Sequence, residues 1–189
     1  MKYFIVIAMI FLTACTKSGD TNAERTRVRL ATPAQDNFLK EIVLGEASPP
    51  LLDKNKNRIS NIALACSAIS GHELKSGDVF SFNGIVGKRS KDRGYKLAPV
   101  ILNGERDEGC GGGICQVSST IYMAALNSSL QIEERHAHSE SVPYAPKGSD
   151  ATVVYGEKDM KFKNNTANTI RIYIWHDNDY VYAKIVKLM

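Results

Sequence analysis

The chain has 189 residues, 43% of them apolar and 23% charged, with a formal net charge of +4. That length suits one domain with a real core rather than two, and the composition is that of an ordinary globular protein. The positive charge is spread along the chain, with no arginine-rich block and no basic stripe interleaved with aromatics, so the usual signature of nucleic-acid binding is missing.

Lys2 opens a short basic region, and Tyr3 to Leu12 is an apolar run too short to span a bilayer as an ordinary helix. It ends in Leu12-Thr13-Ala14-Cys15, which resembles a bacterial lipoprotein signal with its lipobox. The resemblance implies cleavage before Cys15 and lipidation of its thiol, which would hold the protein to a membrane on the periplasmic or outer side. The alternative is an ordinary secretory signal that happens to contain a cysteine. Residues 1–14 are thus predicted as signal peptide, 15–27 as lipidated cysteine and polar tether, and 28–189 as the folded domain. Cys66, Cys110 and Cys115 remain beyond the signal, an odd number that suggests a free thiol in an exported protein.

Gln35 to Leu44 is predicted as a helix with Phe38, Leu39, Ile42 and Val43 on one face, closed by Pro49-Pro50. From Asn57 a stronger helix carries Ile59, Ile62, Ala63, Cys66 and Ile69 on its apolar side, with Gly71 at its end. Cys66 on that face reads as a small core residue. Val79 to Asn83 alternates as a strand, and a second extended segment runs from Gly94-Tyr95 through Leu102. Asn103-Gly104 is a hairpin signal. Glu105 to Glu108 reads as an acidic, mobile lead-in to a glycine loop.

The loop and its flanks, Gly109-Cys110-Gly111-Gly112-Gly113-Ile114-Cys115-Gln116, form the most glycine-dense stretch of the chain. It runs into a helical pattern with Val117, Ile121, Ala124, Ala125 and Leu130 near a 3.6-residue period. The spacing predicts a tight turn that delivers Cys115 to the first turn of a helix. Free N–H groups and the positive end of the dipole favour a thiolate there, and the thiolate is the nucleophile. Gly112, Gly113, Ile114 and Gln116 are the candidates for binding substrate backbone and a developing oxyanion.

Downstream, Glu134-Arg135-His136-Ala137-His138-Ser139 places two histidines at i and i+2, predicted to share one side of a strand. Either His136 or His138 would serve as base to Cys115, and Arg135 and Ser139 are candidate substrate contacts. Other readings stay open: exposed edge residues, a zinc site with Cys110 and Cys115, or a Cys110–Cys115 disulfide. Asp150, at the start of a predicted strand over 150–156, either fixes the imidazole tautomer or caps its own turn. Met160 to Asn164 alternates, and Ile170–Trp175 with Tyr180–Val186 form a terminal hairpin whose aromatics read as sheet packing. The expected fold is α+β: a single domain with the cysteine helix on a mainly antiparallel sheet built largely from residues after 150, in a papain-like arrangement of Cys before His. No cofactor and no metal is called for.

Taken together, Arg58-x-x-Asn61-Ile62, Gly77-Asp78-x-Phe80-Ser81-Phe82-Asn83, Gly94-Tyr95, Gly111-Gly112-Gly113-Ile114-Cys115-Gln116-Val117-Ser118, Glu134-Arg135-His136-x-His138-Ser139, Asp150-Ala151-Thr152-Val153 and Phe162-Lys163-Asn164-Asn165 resemble the VanW domain, in order from about residue 55 to 175. The resemblance implies a cell-envelope role near peptidoglycan. Some members are reported to act as L,D-transpeptidases through the motif cysteine, here Cys115. Tyr122-Met123 departs from the Tyr-Asn pair usual in the family, and Cys110 looks like an addition. The expected partners are peptidoglycan stem peptides and, through Cys15, a membrane. A non-catalytic envelope-binding module and a cysteine peptidase or amidase on the same polymer are the rival expectations.

Overall fold

The computed structural model describes residues 40–102 and 105–189. The predicted signal, Cys15, the tether, residues 35–39 and the Asn103-Gly104 turn lie outside them. The elements in chain order are β1 (Glu41–Ala47), α1 (Lys56–Ile69), β2 (His72–Leu74), β3 (Val79–Ser81), α2 (Phe82–Val86), β4 (Leu97–Leu102), β5 (Glu105–Cys110), α3 (Ile114–Asn127), β6 (Gln131–Glu134), β7 (Lys161–Lys163), β8 (Ile170–His176) and β9 (Val181–Leu188).

All strand pairs are antiparallel. They form a four-stranded sheet in the order β1-β9-β8-β2, a three-stranded sheet β3-β7-β6, and the β4-β5 hairpin. The helix that carries Cys115, α3, lies against β1 and β9, while α1 packs on β8 and on α3. The core between these layers includes Ile62, Ile69, Val117, Ile121, Ile172, Ile174 and Ile185, together with Phe80 and Phe162. The last two are fully buried and stacked at 4.8 Å. The protein is therefore one α+β domain with its cysteine helix on antiparallel sheet, as expected.

Several elements differ from the sequence reading. The helix expected through Leu44 is strand β1 from Glu41 onward, paired with β9 from Glu41 opposite Leu188 to Ala47 opposite Ala183. Val43, placed on an apolar helix face, is 52% exposed. Pairing with a partner at the far end of the chain overrides the local helical spacing. The strand expected through Asn83 stops at Ser81, whose hydroxyl accepts from Gly84 N at 2.9 Å and caps α2. The acidic lead-in is not mobile but strand β5, in register with β4 from Leu102–Glu105 to Leu97–Cys110. The expected strand over 150–156 is irregular chain, closed only by an isolated bridge between Val154 and Lys158. The main sheet also draws on β1 and β2, not only on residues after 150.

Ser81 also donates to Asp159 Oδ2 at 2.6 Å, so one hydroxyl ties α2 to the chain before β7. Ser81→Ala is expected to lower stability by about 1–2 kcal/mol, from a lost N-cap and a less satisfied carboxylate, measured by urea unfolding.

Candidate functional site

The site is built on the glycine turn before α3. Gly113 occupies the N-cap position at φ 104°, a conformation that disfavours any residue with a Cβ. A Cβ on Gly112 would fall 2.6 Å from Pro99 O and 2.7 Å from Ala98 O, so the turn lies directly on the β4 backbone. Asn61 of α1, fully buried, fastens it there. Its Nδ2 donates to Lys96 O at 3.0 Å and Gly112 O at 3.1 Å, and its Oδ1 accepts from Lys96 N at 2.8 Å. Cys115 comes next as the second residue of α3, half-buried, where orphan N–H groups favour negative charge.

The Cys115 Sγ lies 3.6 Å from Thr152 Oγ1 and 3.8 Å from Val153 O, and His138 stands close enough for its imidazolium to favour the thiolate. His138 Nδ1 is 2.7 Å from Asp150 Oδ2, and the backbone N–H of His138 donates to the same oxygen at 2.8 Å. A carboxylate only accepts, so Nδ1 carries the proton and Nε2 is left as the basic ring nitrogen. Arg135 Nη2 donates to Asp150 Oδ1 and its Nε to Asp150 O, both at 2.7 Å, while the guanidinium sits over the Tyr122 ring. Ser118 and Ser119 reach out of α3 to Ala151 O, and Ala151 N donates back to Ser119 Oγ at 2.9 Å. These bonds hold irregular chain against the helix that bears the thiol.

Burial alone would push each of the three groups toward neutrality, and in each case the neighbours outweigh it. Burial acts to raise the Asp150 carboxyl, but the His138 N–H groups and the Arg135 charge hold it below the usual carboxylate range. Burial acts to raise the Cys115 thiol, but hydrogen bonds from His138 and the Val153 backbone bring it below its ordinary value. Burial acts to lower His138, but its bonds to Cys115 and Asp150 raise it. The environment thus favours a thiolate–imidazolium pair.

Thiolate content rises with pH through the thiol pKa, so a lowered pKa extends reactivity to more acidic solution. Cys115 is expected to be alkylated by iodoacetamide at pH values where an ordinary thiol, near pKa 8.5, has lost most of its thiolate. His138→Ala is expected to move that profile to higher pH, read by mass spectrometry of the Cys115 peptide.

The remaining predicted residues take other places. β6 ends at Glu134, so the histidines are not on a strand and do not share a side. His136 turns to Glu134 Oε1 at 2.9 Å, and Lys161 and His136 together hold that carboxyl at about 2. Gln116 is buried with both ends of its amide taken: Oε1 accepts from Arg58 Nη2 at 2.7 Å, and Nε2 donates to Pro50 O at 2.8 Å. It braces the site instead of pointing into it. Arg135 is committed to Asp150, and Ser139 is exposed. The Ile114 N–H donates to Gly111 O and the Gln116 N–H to Gly113 O.

Cys66, Cys110 and Cys115 are free thiols, and the Cys110 Sγ points to Tyr95 O at 3.4 Å. Cys66 is buried in α1, and burial pushes its thiol up to about 12. Among the described residues no group of His, Cys, Asp and Glu converges as metal ligands, which leaves the zinc reading without a ligand set. Sequence reasoning passes over Thr152, Arg58, Arg89 and Tyr144 as site residues. The Tyr144 ring meets His138 edge-on at 6.5 Å, and burial raises its phenol. It lines a cleft of about 420 Å³ with Ala47, Pro50, Met123, Leu126 and Pro146. Arg58 and Thr152 fall within the family-like segments, but nothing there marks them as site residues, and no periodic or motif signal marks Arg89 or Tyr144.

Fold and site together define a small α+β domain in which a histidine hydrogen-bonded to an aspartate stands near a cysteine at the start of a helix, beside a glycine turn. The sequence model of the family described as VanW like protein matches residues 57–186, and the chain belongs to that family. It is 46% identical over 129 residues to an uncharacterized protein, YoaR, of Bacillus subtilis, covering 68% of this chain and 43% of that protein. It is 31% identical over 135 residues to the vancomycin B-type resistance protein VanW of Enterococcus faecalis, covering 69% and 49%. The chain thus spans less than half the length of these curated relatives. No solved structure matches it.

Proposed function

We propose that the protein is a cysteine acyl-transferase of the cell envelope acting on peptidoglycan stem peptides, in the manner of an L,D-transpeptidase. The observation that carries the reading is the row Cys115–His138–Asp150, with the thiol lowered and the imidazole raised. Its logic is that of papain-like hydrolases: a nucleophile on a helix N-terminus, a base, and an acid that orients the base. Family membership, and the likeness to a protein named for vancomycin resistance, support the choice of polymer.

In the proposed reaction the Cys115 thiolate attacks the carbonyl carbon of an L,D peptide bond. With the Ile114 and Gln116 N–H groups already donating to turn carbonyls, the oxyanion falls to the N–H of Cys115, which bonds to no backbone carbonyl among the described residues. The C–N bond breaks, the leaving amine takes the proton from the His138 imidazolium, and a thioester remains. A neighbouring stem amine, deprotonated by His138, attacks the thioester; the C–S bond breaks and the thiolate is regenerated. Lipidation at Cys15 would place this chemistry at a membrane surface outside the cytoplasm, and fatty-acid labelling lost in Cys15→Ala is its test.

The test of the function is incubation of residues 20–189 with tetrapeptide and pentapeptide muropeptides, analysed by mass spectrometry beside Cys115→Ala. Cys115-dependent dimers that have lost a terminal D-residue are the expected result. Trimmed monomers would make water the acceptor, as in a peptidase. Bound but unchanged muropeptide would overturn the enzyme reading in favour of a binding module.

A further inference from the structure

Two arginines pack against the glycine turn from different elements. Arg58 of α1 covers Gly113, where a Cβ would fall 2.9 Å from its Cγ. Arg89, from the segment after α2, covers Gly111, where a Cβ would fall 2.8 Å from its Cβ. Arg58 has its charge answered in part by Asp53 at 3.9 Å, and it braces Gln116. Arg89 does not. Its Nη1 donates to Asn83 Oδ1 at 2.6 Å and Gly87 O at 2.7 Å, both neutral acceptors, and its guanidinium carbon lies 5.7 Å from the Phe82 ring centroid.

Among the described residues Arg89 forms no ion pair. Asp159, the acid in its neighbourhood, instead accepts from Ser81 Oγ, Asn83 N and Met160 N. A half-buried guanidinium held rigidly without a carboxylate costs free energy. Its stem packs on Gly111, four residues before Cys115 on the same turn, and the Cys115 charge acts against the burial that lowers Arg89. A cation kept unpaired beside a nucleophile is set up to receive an anion from the substrate.

We propose that Arg89 forms a carboxylate subsite beside Cys115, and that it binds the free terminal carboxylate of the residue that leaves from the acyl donor. The anion subsite follows from the packing of Arg89; assigning it to the leaving residue rests on the transpeptidase-like reading above. The chemistry fits, because that carboxylate is separated from the scissile nitrogen by a single Cα, so a cation that grips it has to stand next to the thiol. Donors that end in a free carboxylate are then selected over amides or esters of the same length.

The subsite is tested without any peptide by comparing iodoacetate with iodoacetamide at Cys115, with the modified peptide quantified by mass spectrometry. In both reagents the sulfur displaces iodide, and they differ only in carrying a carboxylate or an amide on the attacked carbon. The wild-type iodoacetate/iodoacetamide rate ratio is expected to exceed that of N-acetylcysteine, run in parallel, by about tenfold. Arg89→Gln is expected to remove that preference, with only a small upward shift of the iodoacetamide pH profile from the lost charge, and Arg89→Lys to keep part of it.

A wild-type ratio equal to that of N-acetylcysteine overturns the subsite, and needs no variant to fold. So does a shift of the Arg89→Gln iodoacetamide profile to higher pH with the ratio unchanged, which would make Arg89 only a counter-ion for the thiolate. A tetrapeptide donor is then compared with its C-terminal amide. Equal turnover overturns the assignment to the leaving residue. A preserved iodoacetate preference with inert muropeptides would instead sink the transpeptidase reading and leave the subsite standing.

Discussion

Replacing Cys115 by alanine is expected to reduce thioester-dependent product formation by at least about 10³-fold, to the level set by binding alone. The thermal midpoint should change little, because Cys115 is half-buried and His138 keeps its bond to Asp150. His138→Ala is expected to fall nearly as far, and the double variant no further, since thiolate and imidazole act as one unit. Asp150→Asn preserves shape but removes the charge that fixes the Nδ1 proton and stabilises the imidazolium, so a loss of about 10²–10⁴-fold is expected. It should also leave Arg135 facing a neutral amide. Asp150 is depressed in the folded state, so its stabilising contribution is present above the unfolded pKa, about 3.9, and is lost as pH falls through the folded value. The stability gap between wild type and Asp150→Asn should therefore close in acid. Turnover, urea unfolding across pH and site-resolved alkylation separate these effects.

Asn61→Ala is expected to be the most damaging substitution outside the reacting groups. It removes three hydrogen bonds at a fully buried position and leaves Lys96 N and Gly112 O without their partner, while Lys96 O keeps the bond from Gly111 N. At roughly 1 kcal/mol or more for each unsatisfied group, the loss is about 2 kcal/mol, or roughly 4–8 °C in Tm for a domain of this size. Activity should fall beyond what the lost stability explains, because Asn61 holds the carbonyl of the residue just before the Gly113–Cys115 step. Asn61→Asp is the sharper control. It keeps the acceptor for Lys96 N but turns a carboxylate toward two carbonyl oxygens, so it should be no better than alanine. A variant that unfolds at the wild-type urea midpoint would refute the role given to Asn61.

The parts of the site legible in the sequence are those whose chemistry is written locally. A glycine run before an apolar helix marks Cys115, and a histidine pair with a later aspartate marks the partners. What pattern alone leaves open is which histidine faces the thiol. That choice is made by Thr152 N donating to His136 O, and by Asp150 accepting both from the backbone and from the ring of His138. Neither is visible as periodicity. Gln116 and Arg135 read as groups free to meet substrate, but their polar atoms are taken by Pro50, Arg58 and Asp150, residues distant in sequence or on the far side of a loop. β1 escapes the sequence reading for a similar reason. Its apolar residues satisfy a helical spacing, and only the β9 edge, more than a hundred residues on, decides for strand. The C-terminal hairpin is legible because its partners are neighbours in the chain, with Trp175 opposite Tyr182.

The pairing of β1 with β9 has a consequence for reach. Glu41 sits opposite Leu188, and Met189 N donates to Lys40 O, so the chain enters and leaves the domain side by side. From there β1 runs toward Pro50, which bridges to Tyr180 and accepts the bond from Gln116 beside the nucleophile. The length of β9, about 24 Å at the usual rise per residue, separates these two ends of the sheet. Lys40 and Cys115 therefore lie toward opposite ends of this sheet. The sheet itself thus sets the distance between the domain's entry strand and the helix N-terminus that bears the thiol.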